Sequence, residues 1–90
     1  MIPDSNTLRK ALLEVLNENP AGLTTLEIDA LVATKLVLSD EDVKRIRAGN
    51  RTEFSYRMSW ERTHAKAKGE IVRVSARFWR STKLISKPVN

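Results

Sequence analysis

The 90-residue chain has no cysteine, one histidine, three glycines and three prolines, and 6% of its residues are aromatic. Without cysteine there is no disulfide framework, no thiolate nucleophile and no cysteine-ligated zinc site, and the redox compartment is left open. A lone histidine with no nucleophile beside it makes neither a metal site nor a nucleophile–base pair. His64 therefore reads as a surface or packing residue. No apolar run approaches the ~20 residues of a membrane span. The opening Met-Ile-Pro-Asp-Ser-Asn lacks the basic and apolar regions of a signal peptide. A soluble, cytoplasmic protein is the expectation. The length allows one domain, and size scaling buries ~64% of its surface, enough for one small core.

Charge is present, and unevenly. Residues 1–43 hold three basic and eight acidic side chains, a net of −5, whereas residues 44–90 hold thirteen basic and three acidic, a net of +10. If the halves occupy different faces, the resulting field attracts polyanions and speeds encounter with them. Arg outnumbers Lys in the basic half by eight to five, which favours phosphate or guanine recognition over solubility alone.

The apolar spacing is helical for most of the chain. Leu8, Ala11, Leu12, Val15 and Leu16 form one stripe of a helix over about 5–18, capped by Asp4 or Ser5 and stopped by Asn19-Pro20 and Gly22. Thr24 and Glu27 have capping-box spacing, and Ile28, Leu31, Val32 and Leu36 carry a second helix to about residue 37. Ser39 caps a short helix, Asp40 to Ile46, with Val43 and Ile46 facing inward. Its leading carboxylates suit the positive end of the helix dipole, and adjacent residues point too far apart to make a metal cluster. Residues 47–50 read as a turn. Asn50 or Thr52 caps a long helix over about 52–68, and Gly69 ends it in the left-handed conformation. Residues 70–74 and 77–82 flank Ser75-Ala76 as a β-hairpin. The domain is expected to span 1–83, with 84–90 a loose tail or linker.

This order predicts a mainly α fold with a small β-hairpin, a winged helix-turn-helix of three to four helices plus wing. Such a fold lays a recognition helix in the DNA major groove and brings the wing to phosphates or the minor groove. On the long helix Phe54, Met58 and Ala65 face the core, interrupted by Glu61, for which Arg57 is a candidate partner. Trp60 and Trp79 are expected in the core, with Tyr56 either at the core edge or facing DNA. Groove readout is assigned to Thr52, Ser55, Tyr56, Ser59 and Arg62. Phosphate and wing contacts are assigned to Arg51, Lys66, Arg73, Arg77, Arg80 and Lys83.

The segment Gly49–Gly69, with Gly49, Thr52, Phe54, Arg57, Trp60, Arg62, Thr63, Lys66 and Gly69 in register, resembles the N-terminal winged-helix domain of Mrr-type restriction endonucleases. Ile2-Pro3-Asp4, Thr24–Leu36, Leu38-Ser39-Asp40-Glu41 and Phe78–Thr82 extend the resemblance over nearly the whole chain. It implies a DNA-recognition module that precedes a nuclease domain. Glu61, Ala65, Glu70, Arg77 and Ser81 depart from the family pattern, and these departures bear on docking geometry more than on fold.

The nuclease domain of that family needs acidic residues and a lysine on an α/β core, and these residues carry no such pattern. No catalysis, cofactor, metal, membrane or small-molecule substrate is expected. Double-stranded DNA is the expected partner, as the recognition domain of an Mrr-like restriction system or as a small free-standing DNA-binding protein. Two alternatives stay open: a protein–protein or dimerisation module, including a homodimer, and RNA binding through the same basic face.

Overall fold

A computed structural model describes residues 2–82. Four helices and two small antiparallel sheets follow in the order α1 (Ser5–Asn17), β1 (Leu23–Thr24), α2 (Thr25–Lys35), α3 (Asp40–Lys44), β2 (Ile46–Ala48), β3 (Arg51–Thr52), α4 (Glu53–Ala67), β4 (Ile71–Ser75) and β5 (Phe78–Ser81). Strands β1, β5 and β4 form one sheet in that order, and β2 pairs with β3. Helices flanking a three-stranded sheet, with β4–β5 as the wing, give a winged-helix-like fold.

Local chemistry sets the helix ends. The Asp4 side chain accepts from the Thr7 N–H at α1. Thr24 and Glu27 complete a reciprocal capping box at α2, while Ser39 and Thr52 cap α3 and α4 through the Asp42 and Ser55 N–H groups. Gly69 closes α4 at φ 77°. Its N–H donates to the Lys66 carbonyl and that of Glu70 to the Ala65 carbonyl, the paired bonds of a Schellman motif.

The α1 stripe is buried in full, and its five residues meet Ile28 and Val32 of α2, Phe54, Met58 and Ala65 of α4, Ile71 and Trp79 in one core. Leu23 joins them from β1, where it faces Trp79 across the sheet.

Several expectations need correction. Helix α2 stops at Lys35, not 37, because Val37 turns the chain through φ 55°, and Leu31 of its stripe is exposed. Helix α3 stops at Lys44. Ile46 is 59% exposed and lies in a strand rather than facing inward. The Glu53 N–H donates to the Arg45 carbonyl, which ties this segment to the start of α4 in extended form. Arg47 and Ala48 lie in β2 rather than in a turn, and Gly49, at φ 56°, and Asn50 form the tip of the β2–β3 hairpin. Strand β1, Leu23–Thr24, is too short to show alternation in the sequence.

Inside α4, Trp60 is 49% exposed and not a core residue. Glu61 is 2% exposed, and its partner is Arg9 of α1, Nε to Oε1 at 3.1 Å, not Arg57. Arg57 donates instead to the Pro3 carbonyl at 2.9 Å. Once the arc of Phe54, Met58, Glu61 and Ala65 is filled from α1, no room against the core remains for an indole at position 60.

Candidate nucleic-acid interface

Because Phe54, Met58, Glu61 and Ala65 face the core, the helical period turns Tyr56, Ser59, Trp60, Thr63 and Lys66 toward the other side. Tyr56 and Ser59 are half-buried, and Thr63, His64 and Lys66 are exposed. Tyr56, Trp60 and His64 follow one another at four-residue steps. Tyr56 meets Trp60 edge-on with centroids 6.4 Å apart, and Trp60 meets His64 at 5.7 Å.

The β2–β3 hairpin stands at the N-terminal end of this face. Arg47 lays its guanidinium over the Tyr56 ring, 3.8 Å from the centroid, and Arg51 lies at 5.7 Å, both within cation–π range. Arg47 also pairs with Glu53 at 2.9 Å. Neither Arg47 nor Trp60 was among the residues singled out from sequence as contacts. The short hairpin that delivers Arg47 was legible only as the Gly49-Asn50 turn signal.

The wing flanks α4 beside Ser59, Arg62, Thr63 and Lys66. Arg73 lies opposite Trp79 in the sheet register. It donates from Nε and Nη2 to the Ser75 and Ala76 carbonyls at 3.4 and 3.1 Å, which binds its guanidinium to the wing turn. Arg77 is exposed in that turn, and its carbonyl accepts from the Thr25 N–H at 2.9 Å.

The remaining expected site residues fall elsewhere. The Thr52 hydroxyl accepts from the Ser55 N–H as the α4 cap. Ser55 is half-buried and lines a groove of about 780 Å³ between α2, α3, the β2–β3 hairpin and the start of α4, whose walls include Leu26, Ala30, Ala33 and Phe54. Arg62 is not on the open face: it is 7% exposed and pairs with Asp29 of α2, Nη1 to Oδ1 at 2.8 Å. Burial pushes the Asp29 carboxyl up to about 6, against the pull of Arg62 and, more weakly, Arg51. Arg80 belongs with Phe78 on the sheet face opposite Trp79 and Ser81, because alternate strand residues point to opposite faces, and its stem lies where a Cβ on Gly22 would be. Its Nε is buried without a partner among the described residues. Lys83 lies outside the described residues.

The face therefore combines half-buried and exposed hydroxyls with aromatic edges and cations from two separate hairpins. No helix among the described residues is long and apolar enough to cross a membrane. Compared with known proteins, residues 6–84 match the family model described as the Mrr N-terminal domain. Searches of curated proteins and of solved structures gave no match.

Proposed function

Because the chain belongs to the Mrr N-terminal domain family, we propose that this restriction-system domain is a non-catalytic module that binds double-stranded DNA through α4 and its two flanking hairpins. The observation that carries the reading is the placement of cations around one helix face. Arg47 and Arg51 come from β2–β3, Lys66 from α4 itself, and Arg73 and Arg77 from the wing. In this reading α4 enters the major groove, where Tyr56 and Ser59 offer hydroxyls to base edges and Thr63, whose O–H donates to the Ser59 carbonyl, offers an acceptor. Arg51, Lys66, Arg73 and Arg77 take phosphates. Arg62, 7% exposed and bonded through Nη1 to Asp29, is not counted among the base readers in this reading.

Reversing charge in the wing tests the assignment. The double substitution Arg73→Glu and Arg77→Glu alters exposed positions, so the circular dichroism spectrum and melting temperature are expected to change little. Duplex affinity is expected to fall at least about 100-fold at low salt, since two phosphate contacts become repulsions. Unchanged affinity would remove the wing from the interface.

A second reading is favoured by one observation, the half-exposed Trp60 beside Tyr56 and Arg47. Trp, Tyr and Arg are the residues that dominate protein–protein hot spots. Under that reading Trp60→Ala abolishes association with a protein partner or second copy, and the wing reversal leaves association intact.

A further inference from the structure

Between α4 and the wing lies a cleft of about 280 Å³, lined among others by Ser59, Arg62, Thr63 and Lys66 of α4, Thr25 of α2 and Arg73 of β4. Its lining contains three cations and no carboxylate. Asp29, the counter-ion of Arg62, lines the groove between α2, α3 and β2–β3 instead. The carboxylate thus holds the guanidinium from behind and leaves the cleft side positive.

Arg62 is unusual among these residues. A guanidinium carries five N–H donors, and among the described residues the bond to Asp29 is the one hydrogen bond it makes. Buried polar groups are normally satisfied. None of the Arg62 nitrogens is fully buried without a partner among the described residues, so those not bonded to Asp29 keep some exposure, and Arg62 lines the cleft. Arg73 is pinned to the wing turn through Nε and Nη2, which leaves Nη1. The Thr25 hydroxyl accepts from Trp79 Nε1 at 3.2 Å and keeps its own O–H to donate. The cleft thus gathers donors of Arg62, Lys66, Arg73 and Thr25 around a space whose lining holds no carboxylate.

We propose that this cleft seats one backbone phosphate of duplex DNA, with Arg62 at its floor, Lys66 and Arg73 on its walls, and Asp29 as the residue that positions Arg62. The proposal rests on the DNA-binding reading above and specifies where the backbone runs. With α4 in the major groove and the wing at the adjacent minor groove, the strand that separates the two grooves must cross between helix and wing. The cleft lies at that crossing. Several charge-assisted hydrogen bonds on a single phosphate fix the register of the helix without reading sequence.

The test pairs protein variants with duplexes in which each phosphodiester in turn is replaced by an uncharged methylphosphonate, and reads affinity by fluorescence anisotropy over a salt series. Lys66→Gln and Arg73→Gln alter exposed positions, and Arg62→Lys keeps a charge for Asp29 while removing the fork. In the wild type, neutralising one backbone position is expected to cost about 10-fold, and in the Lys66→Gln/Arg73→Gln double variant the same neutralisation costs less than about 3-fold. Because both cations serve one phosphate, the double variant lowers the salt slope by about 0.9, not the ~1.8 of two separate contacts. Arg62→Lys weakens the wild-type sensitivity at that same position and at no other. A slope change of about 1.8 with two separately sensitive positions, or an Arg62→Lys profile identical to wild type, overturns the subsite while leaving DNA binding intact. Absence of duplex binding by the wild type overturns the DNA reading and the subsite with it.

Discussion

Val37 occupies the position after the α2 C-cap with φ 55° and is 86% exposed. Its N–H donates to the Thr34 carbonyl and that of Leu38 to the Ala33 carbonyl, the same Schellman pair that Gly69 completes after α4. A β-branched residue in the left-handed region is strained, and exposure means that burial does not offset the strain. Val37→Gly is expected to stabilise the fold by about 1 kcal/mol, after the backbone entropy of glycine is charged against the relieved strain. Urea unfolding measures it, and an unchanged or lower midpoint would contradict it. Asp29 carries a second prediction. Its carboxyl titrates at about 6 in the fold, against 3.8 for the free side chain, so between these values the folded state holds a proton that the unfolded state has lost. Stability contributed by this group is therefore greatest at low pH and falls as pH rises through about 4 to 6. Asp4 is shifted the other way, by its hydrogen bonds to Thr7 at the start of α1, so its contribution is lost on acidification below that window. Urea midpoints at pH 4.5 and 7 should differ in this sense for the wild type, and Asp29→Asn should flatten the difference. An equal slope in both proteins would show that Asp29 is not the group responsible.

At the scale of elements, α1 and α4 are joined through the Arg9–Glu61 pair as well as through aliphatic packing. Glu61 is buried, while Arg9 is partly exposed, so removing the cation strands a carboxylate in the core. Arg9→Met is expected to cost about 3 kcal/mol, whereas Arg9→Met with Glu61→Leu should return to near wild-type stability, because apolar replacement of both members of a buried pair is often neutral. Equal losses in the single and double variants would mean that the pair is not the source of the cost. This pair also shows what local sequence carries and what it does not. The Thr24–Glu27 capping box, the Ser39 and Thr52 caps and the Gly69 terminus are each encoded within about five residues, and the α1 stripe within the single run from Leu8 to Leu16, so the sequence alone predicts them. The partners of Glu61 and Arg62 are 52 and 33 residues away and follow no local period. A charged residue in the middle of the α4 core arc announces that a partner exists without naming it. Strands β1 and β3 have two residues each, too few to alternate, and they form because β5 and β2 supply their hydrogen bonds. The exposure of Trp60 follows from which helix fills the core beside it, which helical spacing does not specify.

At the scale of the molecule, the charge asymmetry of the sequence becomes a pair of arginine-bearing hairpins on two sides of one helix. Of the residues expected to touch DNA, Tyr56, Ser59, Arg51, Lys66, Arg73 and Arg77 fall around α4 and its flanking hairpins. Thr52 is occupied as a cap, Arg62 is withdrawn beneath the surface, and Arg80 lies on the other side of the sheet. Basic composition predicts that such a face exists, and tertiary pairing decides which cations reach it. The central claim is that this face binds the DNA backbone, and the salt dependence of duplex affinity addresses it most directly. With roughly three phosphates neutralised, by Arg51, by Arg77 and by Lys66 and Arg73 together, log K should fall against log[salt] with a slope of about −2.7, a ~40-fold loss between 50 and 200 mM, as fluorescence anisotropy of a labelled duplex would record. No binding at ~50 mM salt with protein at tens of micromolar, where even non-specific DNA binding is expected, would contradict the account.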